Sequence, residues 1–247
     1  MSIQLYNLRT NIRNSIPRLL SSTMSDQLFS LIPQTKVCST ALALARDVLP
    51  KPLFNHSLRV YFLAKFLAEK ENSKWAAHTK LPLLFVATAC HDLGTSDLYN
   101  GKQRFEVEGA DAAQQHLHSH GIPDADIHEV WVAIALHTSN GIAERISSLS
   151  RLVRLAVMCD FAPAEFRETL GVKAYAAHLE EVLPRLEVEQ ALGEAVLKQA
   201  VKIPDHIDSL TWPNSDKHPG ASWPGILLRA HLENPTHEGI NPAFYAF

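Results

Sequence analysis

Residues 81–92 read LPLLFVATACHD, and the fold class turns on this stretch. From Leu81 to Cys90 the run is apolar almost all round, and a helix without a polar side has no face to give to water. A central buried helix is therefore expected, with Pro82 in its first turn, where a missing N–H costs nothing. His91 and Asp92 close it. Two ionisable groups thus stand at the end of a segment that otherwise belongs entirely to a core.

Helical spacing continues on both sides, and the alternation typical of strands is nearly absent. Ser39 to Val48 reads as a helix with Leu42, Leu44, Ala45 and Val48 available for burial, stopped by Pro50 and Pro52. Asn55 is expected to cap the next helix, His56 to Glu69, in which His56, Val60, Leu63, Ala64 and Leu67 share one face. Gly94 to Gly109 reads as a polar loop placed to act as a lid, and helical spacing resumes from Ala110 to His118. Ile127 to His137 places Val130, Ala133 and Ile134 on the side of His137, and Ser150 to Phe161 places Val153, Ala156 and Val157 with Asp160. Val172 to Ile203 reads as amphipathic and helical, and Pro204 to Phe247 as an irregular wrap. The expected class is all-α: a helical bundle around a central buried helix, finished by that wrap.

A chain of 247 residues can bury a sizeable core, and 46% hydrophobic with 20% charged residues is globular usage rather than that of a disordered chain. Residues 26–247 are expected to form a single domain behind a basic arm at 1–25. The arm carries Arg9, Arg13 and Arg18, has no acid before Asp26, and weakly resembles a mitochondrial presequence, with Met24 as an internal start. The cytoplasm is the expected compartment and the mitochondrion the alternative. Net charge is −3 with Lys and Arg scattered, which favours neither nucleic acid nor a membrane surface as partner. A small-molecule substrate is the expected partner, with a homo-oligomer left open. Cys38, Cys90 and Cys159 sit far apart in apolar runs, as buried thiols do, and suit neither a disulfide framework nor a thiolate metal site.

Four helices in succession carry an ionisable residue on, or at the end of, an apolar face: His56, then His91 with Asp92, then His137, then Asp160. Burying an unpaired carboxylate costs several kcal/mol even after relaxation, and two near one core call for a cation. Imidazole and carboxylate donors suit zinc, iron, manganese or cobalt, and an open coordination position at such a metal is what catalysis requires. A lone histidine on an apolar helix is more often a hydrogen-bonded core residue, and that bland alternative weighs most on His137. His116, His118 and His120 are expected to splay over different helix faces and to be structural.

These residues resemble the HD-domain superfamily, whose signature is a histidine, a His-Asp doublet and a distant aspartate on a helical core. More narrowly, NHSLRV at 55–60, HDLGT at 91–95, FEVEGADAA at 105–113, LHTS at 136–139 and CDF at 159–161 resemble the fungal cyanamide hydratase branch. The resemblance runs from about Leu31 to Phe166. It implies an HD-domain helical bundle in which His56, His91, Asp92 and Asp160 hold one divalent metal, zinc, and in which cyanamide takes up water to give urea. His137 is the expected proton-moving group, with Glu106, Glu108 and Asp111 behind it as members of a solvated face. The competing enzymatic reading is a nucleotide phosphohydrolase, which needs cations about the metal and draws them from Arg59, Lys102 and Arg104. A third reading, a ligand-binding domain without catalysis, requires a degenerate site.

Overall fold

The computed structural model describes residues 28–202, Leu227 and residues 230–236. The basic arm at 1–25 and most of the C-terminal wrap lie outside the described residues. Those described are helical, with no strand among them.

Helix α1 (Lys36–Val48) starts three residues before the expected Ser39, because the Thr35 hydroxyl accepts from the Cys38 N–H and caps it. The largest correction near the first histidine concerns Asn55. Helix α2 (Lys51–Lys70) begins directly after Pro50, with Pro52 in its first turn, so the proline pair opens this helix as well as closing the one before it. Asn55 is not a cap; it lies inside the helix and donates through Nδ2 to Pro184 O at 2.8 Å. Every residue from Leu53 to Ala64 is buried, Arg59 included. The bundle therefore has two central helices, α2 and the expected α3 (Leu81–Cys90), which is buried from Leu83 onward.

The segment expected as a loop from Gly94 to Gly109 is shorter than anticipated. A 3₁₀ turn covers Leu93–Thr95, and helix α4 (Phe105–Ser119) starts inside the expected lid. A close approach explains this: a Cβ on Gly94 would lie 1.9 Å from Phe105 O and 2.8 Å from Gly109 N, and one on Gly109 2.9 Å from His91 O. The two glycines let the start of α4 lie directly on the turn that carries Asp92. Gly94→Ala is accordingly expected to destabilise the protein by on the order of 3 kcal/mol, since the contact is with backbone and cannot swing aside. Chemical denaturation checks this, and a loss under ~0.5 kcal/mol would show that α4 does not dock so closely.

Helix α5 (Asp124–Ala135) packs on α4, and Trp131 Nε1 donates to Asp111 Oδ1 at 2.7 Å between them, so Asp111 is a packing partner. A short α6 (Ala143–Ile146) leads into α7 (Ser148–Phe161), which the Ser147 hydroxyl caps and which packs along α2. After α8 (Ala164–Thr169), the stretch expected to be amphipathic and helical from 172 to 203 holds two helices, α9 (Lys173–Val182) and α10 (Val188–Lys202). Pro184 lacks the N–H that continuity needs, and Leu186 and Glu187 take left-handed backbone angles, φ 54° and 58°, that reverse the chain. α10 then returns against α2 and the Leu93–Thr95 turn.

Residues from Leu28 to Val188 share one hydrophobic core. His116 donates to Val37 O and His120 pairs with Thr40, so these histidines tie α4 to α1; they occupy one face, whereas His118 is exposed. Cys38, Cys90 and Cys159 are buried and free, and burial pushes the Cys90 thiol up to about 12, which leaves it unreactive. Among the described residues no helix is long and apolar enough to cross a membrane.

Candidate metal centre

Three of the sequence-selected residues converge. Ligand atoms of His56, His91 and Asp92 lie within 4.8 Å of one another, with all three side chains buried. His56 comes from the first half of α2, His91 is the C-cap residue of α3, and Asp92 follows it at the start of the 3₁₀ turn. Because His91 and Asp92 sit past the last helical residue, the chain bends and both reach the same point, which a continuing helix would forbid.

Hydrogen bonding sets the state of each ring. His91 Nδ1 donates to Thr88 O at 2.7 Å, three residues back, and so satisfies a carbonyl left over at the end of α3. His137, two residues beyond α5, repeats the device with Ile134 O at 2.7 Å. His56 Nδ1 donates to Asp160 Oδ2, also at 2.7 Å. All three partners can only accept, so each Nδ1 carries the proton and each neutral ring turns an Nε2 lone pair inward. Two of those lone pairs, on His56 and His91, face each other at 3.1 Å. Asp92 Oδ2 stands 3.3 Å from His91 Nε2 and 3.6 Å from His56 Nε2, buried and without a hydrogen-bond partner.

Lone pairs confronting one another beside an orphaned carboxylate oxygen are electrostatically unfavourable unless a cation lies between them. The residues therefore fit a divalent metal with nitrogen and oxygen donors, and each histidine has its second nitrogen anchored in the way metal-binding imidazoles require. In the metal-free protein a proton is the substitute. Burial opposes it, but the Asp92 charge prevails and holds His91 above its ordinary 6.5. Burial likewise works against the charge on Asp92, yet His91, His56 and His137 together hold its carboxyl well below the usual range.

His137 lines the same pocket, with Nε2 3.7 Å from Asp92 Oδ1 and its ring edge-on to His91. Burial first, then the neighbouring His91, pushes its pKa down to about 3, so it stays neutral and presents an acceptor. Asp160 does not join the group. It stands behind His56, where Arg59 Nε reaches Oδ1 and Arg59 Nη2 reaches Oδ2, both at 2.7 Å. With both oxygens committed on that side, Asp160 fixes the orientation of the His56 ring. Despite burial, Arg59 and His56 hold it well below the usual carboxylate range.

Arg59 is the functional residue that sequence reasoning placed wrongly. Far from supplying a cation to the pocket, it is buried and spent on Asp160 and on Leu183 O at 2.9 Å. An arginine in the middle of NHSLRVYFLA, apolar on most sides, was the available signal. Glu106 leaves the solvated face expected of it, and Arg104 is no free cation on a lid: both are buried and paired with each other and with Thr138. Glu108 stays near the surface and accepts from Gln103 N.

The cluster forms the floor of a cavity of about 400 Å³ walled by Phe105, Val157, Phe161 and Leu192, with Thr138 and Glu189 at its side. Among the described residues, no lysine or arginine lines it.

A comparison with protein families matches the HD-domain model to residues 53–160, the span that begins in the first turn of α2 and ends at Asp160. A comparison with curated proteins finds no match. HD domains bind divalent metals and are generally metal-dependent hydrolases, which agrees with the donor set found here.

Proposed function

With an HD domain over residues 53–160, we propose that this chain is a metal-dependent enzyme that adds water to a small neutral nitrile-type substrate, cyanamide being the foremost, to give urea. The observation that carries the proposal is the orphaned Asp92 oxygen and paired imidazole lone pairs at the floor of an apolar cavity that no lysine or arginine among the described residues lines. A nucleotide phosphate would need Arg or Lys around the metal. Of the three cations that reading draws on, Arg59 and Arg104 are bonded to Asp160 and Glu106 instead, and Lys102 is exposed and does not line the cavity.

We assign His56, His91 and Asp92 as the holders of one divalent metal, zinc by the family resemblance, and Asp160 as the group that orients His56. Bound there, such an ion supplies Lewis-acid polarisation of an electrophilic carbon and makes water a better nucleophile at neutral pH. The chain does the rest. Phe105, Phe161, Val157 and Leu192 exclude bulk water and confine a small substrate. His137, neutral and anchored through Nδ1, offers Nε2 to orient the attacking water and to take its proton. The water oxygen bonds to the nitrile carbon, one C–N π bond breaks, and the proton taken from water passes to the nitrogen. The resulting imidic acid, isourea in the case of cyanamide, then shifts its remaining O–H proton to that nitrogen and gives the amide or urea without redox change.

His137→Ala is expected to keep the metal and lose about 10²- to 10⁴-fold in turnover, the usual range for a proton-transfer group. Metal content, melting temperature and turnover read on one preparation decide it: lost metal makes His137 a ligand, and lost stability with normal turnover makes it structural. Metal uptake is also expected to weaken as the pH falls below the raised pKa of His91, by about tenfold per pH unit for one competing proton. Competition titrations from about pH 5 to 8 measure this, and an affinity that does not fall at the acid end contradicts it.

The reaction itself is tested by supplying metal-replete protein with cyanamide, small nitriles, isonitriles and a nucleotide panel, following urea or amide and phosphate separately. Urea or amide formation is the expected result. Phosphate release alone would replace the hydratase with the phosphohydrolase.

A further inference from the structure

We propose that Thr138 is a specificity-determining residue that accepts a hydrogen bond from a substrate N–H, so that the cavity selects small neutral molecules with an N–H donor beside the electrophilic carbon. The proposal rests on the hydration reading for its chemistry, but its geometry stands apart from the metal.

Arg104 Nη2 lies 2.9 Å from Thr138 Oγ1, and a guanidinium can only donate. Glu106 is bridged at both oxygens by Arg104, Nε to Oε2 at 3.1 Å and Nη2 to Oε1 at 2.9 Å, so it is an acceptor. The Thr138 proton must therefore go to Glu106 Oε1, which it contacts. A hydroxyl has one proton and two lone pairs; the proton and one lone pair are taken. What Thr138 can offer the cavity it lines is the second lone pair.

The polarity is locked in place. Arg104 and Glu106 are 6% and 4% exposed, and Arg104 Nη2 also reaches Ala135 O at the end of α5. Reversing the Thr138 hydroxyl would leave Glu106 with one donor fewer and set the proton against an arginine N–H. The remaining polar wall has the same character. His137 presents an Nε2 lone pair, because its one proton is on Nδ1 and is donated to Ile134 O, and Glu189 presents a carboxylate that accepts from Arg185. Among the described residues, the polar groups around the cavity are thus acceptors. Away from the metal, an anionic phosphate or carboxylate would meet lone pairs on the described walls, whereas an NH₂ group finds partners there.

The test compares cyanamide with N,N-dimethylcyanamide, which differ in the N–H bonds, on the metal-loaded full chain. Wild type, Thr138→Val and Thr138→Ser are each measured by calorimetric binding and by product formation. Wild type is expected to prefer cyanamide by about tenfold or more, the scale of one lost hydrogen bond in a desolvated site. Thr138→Val, similar in size and without the acceptor, should reduce that preference to about twofold by weakening cyanamide, with metal content unchanged. Thr138→Ser should restore it. Because both probes face the same walls in all three proteins, a preference due to size alone would survive in Thr138→Val and would overturn the proposal. So would equal binding of the two probes to wild type, or binding of neither. If cyanamide binds with the expected preference and the expected response to Thr138→Val, yet no urea forms, the specificity role stands and the hydratase reading falls.

Discussion

Asp92→Asn is expected to empty the metal site while leaving the helices in place. The substitution keeps the size of the side chain and removes the negative charge that the three inward lone pairs of His56, His91 and His137 cannot supply. Altering a group that merely supports a ligand already costs ~10- to 100-fold in metal affinity, so removing the anionic donor should cost at least ~10²-fold. The fold should tolerate it. Without the metal the Asp92 charge is favoured by His91, His56 and His137, so the metal-free variant should be somewhat less stable than metal-free wild type at neutral pH while keeping its helices. Added divalent metal should then raise the melting temperature of wild type and leave that of Asp92→Asn unmoved, because only a state that binds is stabilised by binding. Equal metal-induced shifts in the two proteins would remove Asp92 from the site.

Arg59→Met should be the most destabilising change in the bundle outside the apolar core. Arg59 and Asp160 are 1% and 2% exposed, and the pair is joined by two hydrogen bonds of 2.7 Å. Removing the guanidinium leaves Asp160 with His56 Nδ1 and a more distant Arg185 at 3.7 Å, and breaking a buried pair in this way costs about 3–5 kcal/mol. The Leu183 carbonyl loses its donor as well, which loosens the reversal between α9 and α10. The double variant Arg59→Met, Asp160→Leu should recover much of the loss, since a buried pair replaced by apolar groups is often neutral. Chemical denaturation of the single and double variants reads both numbers. A single-variant loss below ~1 kcal/mol would show that the pair carries no burden of burial.

The helical class and the convergence of His56, His91 and Asp92 were legible in the sequence, for a reason visible at each position. An ionisable group at the end of an all-apolar run, as at Cys90-His91-Asp92, has few satisfactory fates, and a metal is one of them. Periodicity also placed His56 inward correctly. It could not say which ring nitrogen faces which neighbour, and that detail separates Asp160, behind His56, from Asp92, beside it. Arg59 escaped because its residue type argues for a surface, while its burial depends on an acid 101 positions away. Proline misled in one place: Pro50 and Pro52 open α2 as readily as they end α1, and a cap was assigned to Asn55 that the prolines made unnecessary. The start of α4 was hidden in a polar composition, because Arg104, Glu106 and Thr138 satisfy one another and so can be buried together.

The most direct test of the account is elemental analysis of the full chain, purified with divalent metal present and then desalted, with Asp92→Asn alongside. About one transition metal per wild-type chain is expected, and close to none in the variant. A folded, helical wild-type protein that retains no metal under any supply, or that holds two per chain, would contradict it.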